Sequence, residues 1–232
     1  SLGYGMILFL SAPIGEEISK ALAVLFLARF IDSPKRGFQI GFSVGLGFAL
    51  LENMIYILGS ILAGEAAAIS FIFTAVLRAI GSIPGHATWT AISGYAIGHY
   101  VISKRWHERS LGIFDKSKTQ RDSKWILFDG KTGQPMISSI TEREVPMLPK
   151  WLSAGQNKMF KITDKPIKAV GIAILFHAIW NGSLWTISVA LQDTSIGIQI
   201  FANLFITFIL IALLWTILRR LVPFAVLEKS TT

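Results

Sequence analysis

The sequence has no cysteine, so disulfides are excluded and nothing in it marks a redox compartment. Charge is scarce as well. Asp, Glu, Lys and Arg make up only 16% of the 232 residues, where a soluble domain carries about a quarter. Acid is the rarer sign, 14 residues against 22 basic ones. Amphipathic alternation is missing too. The runs at 37–62, 66–83, 85–102, 168–191 and 196–221 are apolar without a polar face. Several of them reach the roughly 20 residues that a bilayer crossing needs. The expected fold is an all-α polytopic membrane protein, a bundle of about six transmembrane or re-entrant helices. The chain opens on Ser1 within an apolar segment, so sequence upstream of it is expected, and residues 1–12 carry no signal-peptide pattern.

The net charge of +8 does not point to nucleic acid, because the basic residues flank apolar runs instead of sharing one soluble face. Arg29, Lys35 and Arg36 follow the first segment, 14 Lys/Arg lie within 103–168, and Arg219, Arg220 and Lys229 close the chain. The short connections around Glu65 and Asp193 hold acid and no base. The positive-inside rule places the basic stretches and the C-terminus in the cytoplasm. Residues 66–102 must then cross an odd number of times. A helix broken at Pro84-Gly85, or a re-entrant first half, satisfies that count; two ordinary spans would violate the charge rule. Three regions follow: N-terminal membrane helices over 1–102, a basic soluble insertion over 103–167, and C-terminal membrane helices with a tail over 168–232. Within the insertion, 124–138 has the pattern of a β-hairpin, and 147–161 that of a surface segment dipping Trp151, Leu152, Met159 and Phe160 into lipid.

Few ionisable groups remain inside the apolar segments: Glu16, Glu17, Lys20, Glu52, Arg78, His86 and His177, with His99 near an end. Each charge costs about 2.5–3.5 kcal/mol on insertion scales, so such groups are candidates for function. Their depths agree. Glu16 stands 13 residues before Arg29, about 20 Å of helix, and Glu52 16 residues after Arg36, about 24 Å. His86 lies 18 residues before Lys104, about 27 Å, and His177 9 residues after Lys168, about 14 Å. Four segments thus send an acid or an imidazole toward one layer. Glu16 and Glu17 each reach Lys20 at helical spacing, i,i+4 and i,i+3. The two glutamates diverge by about 100°, so they cannot share one role equally. Glu52 is spaced to accept a hydrogen bond from Tyr56, and His177 shares a helix face with Asn181. Gly41, Gly45 and Gly47 suggest close helix packing, and His99 and His107 interfacial positions.

Two chemistries fit acids with imidazoles. In one, a Glu and a His activate water for attack on a peptide carbonyl, and His177 with Asn181 holds the oxyanion. In the other, Glu16, His86 and His177 ligate zinc, which activates its bound water. No H-E-x-x-H is present to favour zinc. A scaffold subunit held together by the same polar layer, or a proton-coupled transporter, is the rival reading.

Four motifs occur in order: "EEISK", "FALLENMIY", "RAIGSIPGHATWTAISGYAIG" and "FHAIWNG". In that order and spacing the chain resembles the PrsW family of intramembrane proteases. That family is part of a superfamily with type II CAAX prenyl endopeptidases, bacteriocin-processing CPBP proteins and the APH subunit of γ-secretase. The resemblance covers about residues 10–215 apart from the 103–167 insertion. It implies a glutamate-dependent protease with Glu16, Glu17, His86, His177 and Asn181 catalytic, and Lys20, Glu52, Tyr56 and Arg78 supporting. It implies a membrane-anchored protein or peptide as substrate, such as an anti-sigma factor. It leaves metal dependence open, since family members are labelled metalloproteases while the prenyl endopeptidases look metal-independent. The APH-like relatives are scaffolds.

Overall fold

The computed structural model describes residues 2–62, 64, 67–110 and 161–227. The expected hairpin at 124–138, the surface segment up to residue 160 and the side chain of His107 lie outside the described residues. Every regular element among the described residues is a helix. The first rod joins α1 (Leu2–Met6), a π turn (Ile7–Ser11) and α2 (Ala12–Phe26). Helix α3 spans Pro34–Ser60. The next rod joins α4 (Ala67–Leu77), a second π turn (Arg78–Ser82) and α5 (Ile83–Ser110). Then come α6 (Pro166–Ala190) and α7 (Ile196–Leu227). Among the described residues four stretches are long and apolar enough to cross a membrane: Pro34–Ser60, Ala67–Arg105, Pro166–Ala190 and Ile196–Val222. The protein is an all-α integral membrane protein.

The start of α3 follows from its sequence. Ser33 Oγ accepts the Arg36 backbone N–H at 3.2 Å, and Pro34 opens the first turn. The break expected at Pro84-Gly85 is not there: the helix runs on, and the described residues form five rods. Both π turns end two residues before a proline, Pro13 and Pro84. Proline has no N–H and its ring crowds the carbonyl four residues back. A π turn widens the helix at that point. Ala12 N–H accordingly bonds Ile7 O, and Ile83 N–H bonds Arg78 O. The carbonyl of Ile80, four residues before Pro84, accepts from Trp215 Nε1 on α7 at 2.9 Å. A neighbouring helix thus supplies the donor that proline lacks.

Helix α5 is the central rod, buried on all sides over 85–98. Antiparallel α3 lies directly on it. Gly37, Gly41 and Gly45 meet the α5 backbone at Gly94, Thr90 and His86, where any Cβ would collide. Ala49 and Asn53 continue this buried stripe at four-residue spacing. Gly47, expected in the same seam, has open space around its Cβ position and plays no part in it. The outward sides are apolar. Ile55 is 72% exposed and Phe201 71%, as lipid contact requires.

Candidate active site

The seam sets four helix segments side by side at the level of His86. Within four residues after each proline come Glu16 and Glu17 on α2 and His86 on α5. Glu52 comes from α3 and His177 from α6. Lys20 Nζ is the hub. It lies 2.8 Å from Glu17 Oε1, 3.3 Å from Glu16 Oε2 and 2.7 Å from His86 Nδ1. An ammonium only donates, and these three contacts use all its protons. They assign His86 Nδ1 as acceptor and put the proton on Nε2. That N–H faces Glu52 Oε2 at 3.0 Å, and Glu52 also pairs with Arg78 at 3.3 Å.

The opposite flank is assigned in the same way. His177 Nδ1 lies 3.0 Å from Glu17 Oε1. A carboxylate only accepts, so Nδ1 carries the proton and Nε2 keeps its lone pair. That lone pair stands 3.8 Å from Glu16 Oε2. The two glutamates therefore differ, as their divergence on the helix requires. Glu17 is 1% exposed and held by Lys20 and His177. The Glu16 side chain is 22% exposed, as is that of Glu52. The cluster is thus closed toward α5 and α6 and open on the side of Glu16 and Glu52.

Aromatic rings fix the imidazoles. Trp89 stacks on His177 with centroids 5.0 Å apart, and the two histidine rings meet edge to face at 4.8 Å. The Phe48 ring lies 4.0 Å from Lys20 Nζ, a cation–π contact that also keeps water off the ammonium.

Two expected partners behave differently. Tyr56 turns its ring face to Arg78, with the guanidinium carbon 3.7 Å from the centroid. Asn181 lies one turn beyond His177 and is half-buried, and among the described residues no hydrogen bond joins it to the cluster. One participant was missed. Buried Asn53 accepts from Arg78 Nε and donates from Nδ2 to Ala49 O at 2.6 Å. Its only sequence signal is its place beside Glu52, on the stripe that includes Gly45 and Ala49.

Residues 3–117 match the PrsW family intramembrane metalloprotease model. That stretch of the chain is similar to the PrsW family. Protease PrsW of Geobacillus kaustophilus (strain HTA426) is 33% identical over 102 residues, which cover 42% of this chain and 41% of that protein. The chain thus matches about two fifths of that relative's length. No solved structure gives a significant match. The PrsW match takes in Glu16, Glu17, Glu52 and His86 and ends before His177 and Asn181. Packing alone brings His177 into the same cluster.

The PrsW family description implies a metal, and the residue types suit one. Ligand atoms of Glu16, Glu17, His86 and His177 all lie within 4.8 Å of one another. Two imidazoles with carboxylates are a zinc donor set. Glu17 Oε2 is buried with no hydrogen-bond partner among the described residues, so it has a lone pair to offer a cation. Lys20 places its own positive charge among the same donors.

Proposed function

We propose that this chain is an intramembrane endopeptidase that hydrolyses a peptide bond in a membrane-anchored protein or peptide. The observation that carries this reading is the pairing of the Glu16 carboxylate with the His177 Nε2 lone pair, 3.8 Å apart at the open edge of a buried cluster. A water in that gap donates one hydrogen bond to each acceptor. Glu16 takes its proton as the oxygen attacks the carbonyl carbon, and the same carboxyl then protonates the leaving amine. Glu17 holds the His177 tautomer that makes Nε2 an acceptor. Lys20 and His86 link that side to Glu52, which Arg78 and Asn53 keep in place. Asn181 shares the face of α6 with His177, and no described hydrogen bond engages its amide. It is the candidate donor to the oxyanion.

Zinc, where bound, would be held by His177 and the two glutamates, with His86 joining only once Lys20 releases its Nδ1 lone pair, and would make its bound water more acidic. The basic loops and C-terminus face the cytoplasm of a prokaryotic plasma membrane, and the cluster lies in the outer half of the bilayer. An anti-sigma-factor-like membrane protein is the model substrate, matching the reading of the motifs.

The test is cleavage of single-span reporter proteins co-reconstituted with the full chain. Glu16→Gln and His177→Ala are each expected to lower turnover by about 10²–10⁴-fold, the first while leaving the melting profile in place. Cleavage at the wild-type rate by a folded Glu16→Gln protein would sink the proposed base. Metal content and activity before and after a chelator separate the two water-activation modes. A zinc enzyme loses activity with its metal and regains it on addition. An enzyme that runs on Glu16 alone does neither.

A further inference from the structure

Away from the cluster, two cavities meet between α2, α5 and α6. The first has a volume of about 720 Å³ and an apolar wall, with Ile18, Leu22 and Leu25 from α2 facing Ile167, Gly171 and Ile174 from α6. Such a volume is in the range of small-molecule sites. The second, about 650 Å³, has a more polar wall. His99 and Ser103 of α5 line it with Asp164, Lys165 and Lys168 at the head of α6. Tyr100, Pro166 and Ile167 line both, so the two form one groove.

Polarity changes along this groove in the direction that the bilayer dictates. The polar end is level with Arg105, where the apolar stretch of the α5 rod stops. From Ile167 to Ile174 the apolar part rises about 10 Å, most of one leaflet of a roughly 30 Å hydrocarbon core. Two lysines against one aspartate leave the polar end net positive. We infer that this groove is a binding site for one anionic phospholipid of the surrounding membrane, with an acyl chain along α2 and α6 and the phosphate at Lys165 and Lys168. Basic pockets between helices at the headgroup level are a known physical solution for such lipids. The site is independent of the proposed proteolysis. Its upper end at Ile18 and Ile174 comes within a turn of Glu17 and His177.

Gly171 allows a direct test, because a Cβ there would meet no atom within 4 Å and a larger side chain would project into open space. The full chain is purified in detergent and titrated with phosphatidylglycerol or phosphatidylcholine of the same acyl chains, with bound lipid counted by native mass spectrometry. One phosphatidylglycerol should be retained in preference to phosphatidylcholine. Lys165→Gln with Lys168→Gln should weaken it on the order of 30-fold. Gly171→Trp should abolish retention while the melting profile and helical signal stay those of wild type. Equal retention of both lipids, or retention untouched by either variant, overturns the site. Displacement by millimolar inorganic phosphate with no effect of Gly171→Trp would reduce it to a headgroup-only anion site and also overturn it. Displacement by an acidic single-span peptide in place of lipid would assign the groove to a protein segment instead.

Discussion

At the scale of single residues, the cluster depends on one amine. Lys20 is 2% exposed and faces two carboxylates and an imidazole. Removing one partner of a buried ion pair leaves the other charge uncompensated, at a cost of about 3–5 kcal/mol. Lys20→Met is therefore expected to destabilise the protein strongly, and Glu17→Gln added to it should restore part of the loss. Thermal unfolding of the two variants in the same detergent checks this. Additive losses in the double variant would mean that the two side chains do not interact. Much of this site was legible in the sequence. Ionisable groups in apolar segments have few ways to be satisfied, and Glu16, Glu17, His86 and His177 do converge. Asn53 was not legible. An amide costs little in a span, and which neighbour it meets depends on the α3–α5 register. Tyr56 was read from spacing along its own helix, and its ring also meets Arg78 from the next rod.

At the scale of helices, glycines and prolines carry different instructions. Gly41 and Gly45 permit backbone contact, whereas Gly47 faces open space. Gly41→Leu and Gly45→Leu should prevent correct folding, since α3 would be forced off α5 and His86 would lose its place. Gly47→Leu should stay within about 0.5 kcal/mol of wild type, as for substitutions away from packed features. Expression yield and melting temperature of the three variants distinguish these outcomes. The sequence offers all three glycines alike, because membership of a face depends on helix phase and partner. Pro84 was misread for a related reason. Proline predicts a break when the helix stands alone, yet here a π turn and Trp215 absorb it. Trp215→Phe keeps the ring and removes the donor to Ile80 O. It should cost about 1–3 kcal/mol, the range for a carbonyl left unpaired away from water, as on a lipid-facing side. An unchanged melting temperature would show that the Ile80 carbonyl has another partner.

At the scale of the whole molecule, one orientation must reconcile the charges with the path of the chain. Among the described residues between α3 and α6 the chain makes one long apolar passage, Ala67–Arg105. A single passage carries the chain from the acidic turn near Glu65 to the basic region after Lys104, as the charge rule requires. Helices α6 and α7 then form a pair joined by the turn at 191–195, with basic residues beyond both outer ends. Long spans tolerate tilt, so length alone cannot orient them; the Lys/Arg bias must. The absence of cysteine makes this directly measurable. Gln192→Cys sits on the turn between α6 and α7, and Lys161→Cys just before α6; both positions are exposed. In sealed right-side-out vesicles a membrane-impermeant maleimide should label the first and leave the second until the membrane is opened. Labelling of Lys161→Cys alone would invert the molecule and move the Glu16 cluster to the cytoplasmic half, where substrates would have to approach from the other leaflet.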